Sequence, residues 1–203
     1  MKKYELTEET VTVYGKTLYR IRAVRDFGSV KTGEFGGYIE KEENLSHFGN
    51  AWISGDAWVD GDARVFDNAK VYGDAKVYGD ARVSGDAWVY GDARVSGDAR
   101  VFDNAKVYGD ARVSGNAWVY GNAEVFNTRH FFVQGPIGSR DGYVTFYRTK
   151  DDTIGVRCGC FSGSLQKFVD RVEETHGGSR YEKEYKIAAE LAKVCIRLEG
   201  ESR

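Results

Sequence analysis

The middle of the chain alternates small apolar and polar residues in a strict pattern. From Gly49 to Phe126 the six-residue unit Gly-Asp/Asn-Ala-x-Val-x recurs thirteen times without a gap, with Asp in place of Gly at positions 67 and 103 and Ile53 in place of the first Val. Ala and Val stand two positions apart, so in a short strand both point to one side. The pattern predicts short strands that bury Ala and Val. A corner follows at each Gly-Asp/Asn pair, where we expect the Asx side chain to bond turn amides.

A repeat of six residues is too short for a helical hairpin and is typical of the hexapeptide β-helix. Residues 61–72 recur unchanged at 97–108, an offset of 36 that fits two coils of three units each. Here the chain resembles the left-handed β-helix of the hexapeptide-repeat acyltransferase superfamily. The resemblance implies a left-handed coil of triangular section and a tendency to form homo-oligomers, with a homotrimer favoured. With three units per coil, residues 18 apart are expected to stack at about 4.8 Å.

The N-terminal block, residues 1–48, is predicted to cap one end of this solenoid. Residues 4–14 and 17–24 are rich in Thr, Val, Tyr and Ile and flank a Gly-Lys pair, which is typical of a β-hairpin. Residues 33–48 are interpreted as degenerate opening repeats in phase with the hexads, with Asn44-Leu45 in the place of Asp-Ala. An irregular terminal unit beneath a hairpin is what protection of an open strand edge requires.

The hexads end at Phe126, and residues 127–203 are predicted to form a βββαα unit. The three strands are Phe131 to Val133, Tyr143 to Thr149 and Ile154 to Cys160. The third strand places Ile154, Val156, Cys158 and Cys160 on one face, so both cysteines are interpreted as core residues.

Two helices are predicted after these strands. The apolar stripe of the first helix consists of Leu165, Phe168, Val169 and Val172. The second helix opens on a capping box from Ser179 to Glu182. Its predicted inward residues are Tyr181, Tyr185, Ala188, Ala192 and Cys195. The whole chain is therefore predicted to be mainly β. A left-handed parallel β-helix at 49–126 carries a hairpin cap at 1–48 and an α+β unit at 127–203, which is either a separate small domain or a lid packed on the prism.

Charge and composition exclude several classes of protein. The net charge is −2 over 203 residues, and no segment is strongly basic, which argues against a nucleic-acid partner. The N-terminus lacks the apolar core of a signal peptide, and the longest apolar runs fall short of a membrane span. We therefore expect a cytoplasmic protein without membrane contact. The three cysteines match no disulfide or zinc spacing and are expected to be reduced thiols.

Stacked in coils, the outward x positions form ladders of aromatic and basic residues. Two interpretations stay open for the first face, which is the most aromatic of the three. Either this face is buried against sister subunits or the C-terminal segment, or it binds a ligand. Arg and Lys interleaved with Trp and Tyr suit a phosphate and a stacked base. The ladder candidates are Trp52, Lys70, Trp88, Lys106, Tyr72, Tyr90 and Tyr108 on the first face, Arg94 and Arg112 on the second, and Arg64, Arg82 and Arg100 on the third.

Rows of corner aspartates run beside these ladders. Their spacing lacks the Gly-Gly-x-Gly-x-Asp signature of calcium β-rolls, and like charges about 5 Å apart are tolerable in exposed turns. We expect a turn-capping role and no metal site.

The flanking segments carry a second resemblance, to a family of bacteriophage and prophage proteins of unassigned function. The motifs are Gly-Gly-Tyr-Ile-Glu-Lys-Glu-Glu-Asn-Leu-Ser, Pro-Ile-Gly-Ser-Arg and Thr-Phe-Tyr-Arg-Thr-Lys-Asp, and the likeness covers essentially the whole chain. This resemblance implies a phage origin and hence the cytoplasm of a bacterial host. It implies no chemistry.

Catalysis has one weak candidate. Hexapeptide acyltransferases use a histidine general base with acyl-CoA along the prism, so the resemblance keeps a CoA-dependent transferase open, with acetyl-CoA as its cofactor. His130 lies just past the last hexad and is the best-placed candidate, whereas His47 falls at a Val position of a degenerate repeat. No loop interrupts the coils to make an acceptor pocket, which argues against catalysis. The loop 135–142, with Arg140, is either an ordinary hairpin loop or a phosphate cradle.

The sequence thus favours a non-catalytic, oligomeric β-solenoid binding protein without a cofactor. The expected role is a phage-encoded modulator that captures a host protein or an anionic nucleotide-like ligand. The alternatives are a CoA-dependent acyltransferase and a structural virion or assembly component.

Overall fold

The computed structural model describes residues 2–199, which form a parallel β-solenoid with a capped N-terminal end and an α+β unit at the other end. The chain begins with β1 (Tyr4–Val13), β2 (Lys16–Ala23) and β3 (Phe35–Ile39), followed by a short 3-10 turn, Glu42–Asn44. Thirteen two-residue strands then form the coils. They are Trp52–Ile53 (β4), Trp58–Val59 (β5), Arg64–Val65 (β6), Lys70–Val71 (β7), Lys76–Val77 (β8), Arg82–Val83 (β9), Trp88–Val89 (β10), Arg94–Val95 (β11), Arg100–Val101 (β12), Lys106–Val107 (β13), Arg112–Val113 (β14), Trp118–Val119 (β15) and Glu124–Val125 (β16).

Three sheets close the solenoid; the coil strands pair in parallel, whereas β2 pairs antiparallel with β1 and β3. Their strand orders are β16-β13-β10-β7-β4, β15-β12-β9-β6 and β1-β2-β3-β5-β8-β11-β14. Trp88 pairs with Lys70 and Lys106, one coil on either side, so the predicted stacking interval is confirmed. Every Ala and Val of the hexads is fully buried, as the two-residue spacing predicts. The interior is therefore a continuous column of small apolar side chains, with the x positions on the outside.

The corners depend on a left-handed backbone at the first position of each unit. Gly73 has φ +72°, and a Cβ there would lie 3.1 Å from the amide nitrogen of Gly91 in the next coil. Asp67 and Asp103 adopt the same conformation, with φ +58° at each. The expectation that Asx side chains bond turn amides is wrong along one edge, where Asn50 donates to Asn68 and Asn68 to Asp86. There the Asx side chains form a ladder between coils.

The N-terminal cap matches the predicted hairpin, but the register of the opening repeat differs. Leu45 bridges to Val65, so it occupies a Val position and not the predicted Ala position. His47 therefore lies past the strand, where its Nδ1 accepts a hydrogen bond from the Lys3 amide at 3.3 Å. Its ring stacks on Tyr4, with centroids 4.3 Å apart. This coil is two residues longer than the regular ones, because Leu45 and Val65 are 20 positions apart where the regular coils have 18.

Lys3 is the buried cation of this cap. Its Nζ donates to the Ala51 carbonyl at 2.7 Å, and burial followed by the charge of Arg25 lowers its pKa from 10.5 to about 8. The unfolded chain therefore holds a proton that the native chain has lost between these two pH values, so stability rises with pH there. From about pH 8 to about pH 9.5 we expect the free energy of unfolding to increase by about 1–2 kcal/mol.

Chemical denaturation of the wild type and of Lys3→Met across this range measures that gain. The difference between the two proteins isolates the lysine, because other titrating groups are common to both. A gain of equal size in both proteins would contradict the assignment to Lys3.

The C-terminal unit contains four strands where three were predicted. They are β17 (Phe131–Ile137), β18 (Gly142–Arg148), β19 (Ile154–Cys158) and β20 (Phe161–Ser164), and the antiparallel order is β17-β18-β19-β20. The predicted third strand breaks because Gly159, with φ +55°, turns the chain. Cys160 is consequently exposed in that turn, and its prediction as a core residue is wrong, whereas Cys158 does pack in the core.

Helices α1 (Leu165–His176) and α2 (Arg180–Cys195) cover one face of this sheet. Ser179 caps α2 as predicted by accepting from the Glu182 amide, but the Glu182 carboxylate accepts from Gly178 in place of the reciprocal bond. The fully buried residues of α2 are Ala188, Ala189 and Ala192. Its outward side exposes Ile187, Leu191 and Val194. None of the helices described is long and apolar enough to cross a membrane.

The sheet of the C-terminal unit caps the open end of the solenoid. On β18, Val144 and Phe146 join the core beneath the helices, while Tyr147 points the other way and joins the solenoid core. The Trp118 amide donates to Thr145 Oγ1 at 3.0 Å, and the Lys150 amide donates to the Asn122 carbonyl at 2.9 Å. The alternation of β18 therefore fixes the unit against the last coil.

Candidate functional site

A cleft of about 790 Å³ opens between the third face of the solenoid and the C-terminal unit. We call it the interunit cleft. Its solenoid side is formed by Asp98, Arg100, Asn116 and Trp118. Its opposite side is formed by Ser139, Arg140, Gly142, Tyr143, Thr145, Arg157, Cys158, Gly159, Cys160, Phe161, Phe168, Arg171, Val172, Thr175, His176 and Tyr185. The volume lies in the range of small-molecule sites.

Two arginines are positioned by Trp118. Arg100 and Trp118 are register partners on neighbouring coils, and the Arg100 guanidinium lies 4.8 Å from the Trp118 ring centroid. Arg157 alternates with the core residues of β19 and so points toward the solenoid. Its guanidinium lies 5.4 Å from the Trp118 centroid and 5.2 Å from that of Tyr120. Cation–π contacts of this kind restrain both side chains near one ring.

Arg140 reaches the cleft on the loop between β17 and β18. The Gly138 amide in this loop donates to Glu184 Oε2 on α2 at 2.7 Å. Gly138 has φ +76°, and a Cβ at this position would lie 1.9 Å from the Tyr185 hydroxyl. Close packing against α2 therefore requires glycine here and places Arg140 at the rim of the cleft.

The cleft carries an excess of positive charge. Four arginines line it, and Asp98 is the acidic residue among the lining side chains. Arg171 pairs with Glu174 at 3.2 Å, but Arg100, Arg140 and Arg157 form no ion pair with any carboxylate of residues 2–199. Arg157 Nε is also buried without a hydrogen-bond partner there. Arginines without a carboxylate partner can bind an anion that enters the cleft.

The C-terminal side of the cleft is apolar and aromatic. Phe168 and Val172 are buried, and Phe161, Cys158 and Tyr185 are half-buried beside them. Burial raises the pKa of the Tyr185 hydroxyl to about 12, and burial also raises the pKa of the Cys158 thiol above its usual value. Both side chains are therefore neutral at physiological pH, so neither adds a charge to those of the arginines and Asp98.

The predicted first face carries a second groove, of about 710 Å³. Trp52 lines this groove but exposes little of its ring, because the N-terminal block buries it against Phe27, with centroids 5.3 Å apart. Lys106 pairs with Glu124 at 3.2 Å, and Lys70 lies over Trp88. Trp88 is 38% exposed, so the C-terminal segment does not cover this face as one interpretation proposed.

The tyrosines of the first face stack on one another. The centroids of Tyr72 and Tyr90 are 4.8 Å apart, and those of Tyr90 and Tyr108 are 4.9 Å apart, with nearly parallel rings. Phe126 continues the column. Because each ring covers the faces of its neighbours, the edges of the rings, and not their faces, point toward solvent.

The remaining arginine candidates are dispersed. Arg64 and Arg82 are exposed on the third face below Arg100, and Arg94 and Arg112 lie on another sheet. None of these four lines the interunit cleft. The structure therefore brings together Arg100 and Arg140 from the predicted set and leaves the other arginines on separate surfaces.

His130 is not placed as a catalytic base. It is 4% exposed, its Nδ1 accepts from the Phe126 amide at 3.4 Å, and its Nε2 lies 2.9 Å from Asn127 Nδ2. Burial, with a smaller contribution from Arg148, lowers its pKa to about 4. The ring lies edge-on to Phe126, 4.0 Å between centroids, and holds the corner where the solenoid ends.

Sequence reasoning missed Trp118, Tyr143, Arg157 and Arg171 as cleft residues. Trp118 had a visible signal, since it ends an otherwise basic row on the third face. Arg157 had one too, because it alternates with apolar residues on a predicted strand. Nothing in the sequence indicates that these residues lie close together, because their proximity depends on how the C-terminal unit packs against the last coil. In residues 2–199 no group of three or more His, Cys, Asp or Glu side chains is arranged to hold a metal ion.

Comparison with known proteins supports the repeat architecture. A family model described as a YdcK beta solenoid repeat matches residues 75–91 and 105–121, both within the coils. A search of curated proteins found no match to the chain. The chain is thus a β-solenoid repeat protein by both its sequence repeats and its fold.

Proposed function

We propose that this protein is a non-catalytic, oligomeric β-solenoid binding protein that holds a small polyanion in the interunit cleft. The observation that carries the proposal is the convergence of Arg100, Arg140 and Arg157, which have no carboxylate partner among the described residues. They come from a coil, a loop and a separate sheet, so the site exists only in the folded chain.

More than one negative charge on the ligand is favoured. Three unpaired guanidiniums around one cleft repel one another, and a ligand with two or more anionic groups relieves that repulsion. Guanidinium groups also bind phosphate and carboxylate oxygens in pairs, with strong charge-assisted hydrogen bonds. Inorganic pyrophosphate and triphosphate are the simplest probes with this charge.

The proposal also covers assembly and origin. The oligomer, a homotrimer, rests on the hexapeptide resemblance, and the half-buried column Tyr72, Tyr90, Tyr108 and Phe126 offers a face for it. The resemblance to phage and prophage proteins supports a role as a modulator that captures a ligand of the host.

Isothermal titration with inorganic triphosphate tests the site. We expect binding by the wild type and an affinity about 10- to 100-fold lower for Arg140→Gln, since a hydrogen bond to a charged group contributes about 1.5–3 kcal/mol. Arg140 is exposed, so its substitution is expected to leave the fold intact.

Arg82→Gln is the matched control, because Arg82 is exposed on the same face one coil from Arg100 and outside the cleft. Its affinity is expected to equal that of the wild type. Equal losses in both variants would mean diffuse surface attraction, and no binding to the wild type would refute the proposal.

A further inference from the structure

The interunit cleft is divided into a basic rim and an aromatic wall. Of the four arginines that line the cleft, Arg100, Arg140 and Arg171 are exposed and lie at its rim. The wall is formed by the aromatic side chains of the C-terminal unit that line the cleft, namely Tyr143, Phe161, Phe168, His176 and Tyr185. Phe168 contacts Phe161, centroids 5.5 Å apart, and Tyr185, centroids 5.7 Å apart. A negative charge on the ligand accounts for the arginines at the rim, but it does not account for the aromatic side chains of the wall.

Trp118 is not the ring on which a ligand stacks. Both the Arg100 and the Arg157 guanidiniums lie over its ring, and Phe102 meets it edge-on at 6.2 Å between centroids. Trp118 is therefore a positioning residue for two arginines. The aromatic rings with free surface on the cleft are those of the C-terminal unit. Tyr143 is 43% exposed, and Phe161, His176 and Tyr185 are half-buried.

We infer that the ligand is a nucleoside di- or triphosphate, bound with its base against the aromatic wall and its phosphates toward the arginines of the rim. The inference rests on the proposed function and specifies the chemical class of its ligand. Flat π-systems stack on aromatic side chains and are preferred there over saturated chains.

The dimensions favour a free nucleotide over a nucleic acid strand. The cleft of about 790 Å³, a volume in the range of small-molecule sites, is lined by the loop carrying Ser139 and Arg140 and by the turn carrying Cys160. Single-strand binders instead offer a continuous basic groove with successive stacking platforms. Arg64 and Arg82, which continue the row of Arg100 along the solenoid, do not line the cleft.

Three ligands separate the contributions of base and phosphate: inorganic triphosphate, ATP and adenosine, titrated into the full chain without divalent cations. ATP is expected to bind about 10- to 100-fold more tightly than inorganic triphosphate, because stacking of one base adds that factor. Tyr143→Ala is expected to reduce this advantage, and Tyr143→Phe to preserve it.

A second variant blocks the wall without touching the arginines. Thr175 is exposed on the last turn of α1 and lines the cleft, so Thr175→Trp is expected to fill the space beside His176. This variant is expected to bind inorganic triphosphate as the wild type does and to lose the additional affinity for ATP. Thr175→Ser is the control and is expected to keep both affinities. Retained triphosphate binding shows that Thr175→Trp is folded.

The outcomes distinguish the two proposals. Equal affinity of the wild type for ATP and inorganic triphosphate would overturn the inference about the base and leave the proposed function standing. Tighter binding of an alkyl diphosphate than of ADP would likewise overturn it, because the wall would then prefer a saturated chain. Failure of every anion to bind would overturn both.

Discussion

Replacing Tyr147 with alanine is expected to lower the free energy of unfolding by about 3–5 kcal/mol, a loss typical of truncating a large buried aromatic side chain. Tyr147 is 3% exposed and belongs to the solenoid core, although it is carried by the C-terminal sheet. Its ring fills the end of the Ala and Val column. Alanine would leave a cavity at the point where the two units meet, which the rigid coils cannot collapse to fill.

Urea denaturation of Tyr147→Ala beside Tyr143→Ala measures this effect. The two tyrosines are on the same strand and the same face, but Tyr143 is 43% exposed at the cleft. The control is expected to lose less than about 1 kcal/mol, as surface substitutions do. Similar losses in the two variants would show that Tyr147 does not close the solenoid.

Acid is expected to destabilise the protein through His130. Its pKa is about 4 in the native state against 6.5 for a histidine in an unfolded chain, so the unfolded chain takes up the proton first. The stability that depends on the neutral ring is complete above about pH 6.5 and is lost as the pH falls toward about 4. The shift corresponds to about 3 kcal/mol.

Free energies of unfolding for the wild type and His130→Gln, measured across this range, isolate that contribution. Carboxylates titrate in both proteins, so the difference between them reports the histidine. The wild type is expected to lose about 3 kcal/mol more than the variant by about pH 4. Parallel pH curves would contradict a neutral, buried His130.

The solenoid was predictable because the residues of each six-residue unit indicate which positions are buried and where the chain turns. An Ala and a Val two residues apart can be buried together only on one side of a strand, and a left-handed corner selects Gly. The register of the opening coil was not predictable from this rule. Leu45 is apolar and fits either inward position, and the choice follows from the buried Lys3 and Tyr4, which lie more than 40 residues away in sequence.

The C-terminal unit shows the limit of periodicity. Cys158 and Cys160 have the same spacing as buried neighbours on a strand, but Gly159 permits a turn between them. The period of two therefore predicted a longer strand than the chain forms. Glycine in a strand pattern was the available sign of this break.

Only part of the cleft could be predicted from the sequence. Arg100 and Arg140 were both candidates, but they belonged to separate hypotheses, a ladder and a phosphate loop. Their common site depends on β18 docking on the last coil, through the Thr145 hydroxyl and the Trp118 amide. Such a long-range contact produces no periodic pattern in the sequence. The aromatic first face does produce one, and most of the predicted site residues were therefore ladder residues.

A crystal structure of the protein with a non-hydrolysable ATP analogue tests the central claim most directly. We expect phosphate oxygens within hydrogen-bonding distance of Arg100, Arg140 and Arg157, and the base on the aromatic wall at Tyr143, Phe161 and Tyr185. A nucleotide bound along the first face at Trp88, or an unoccupied cleft at a saturating concentration, would contradict it.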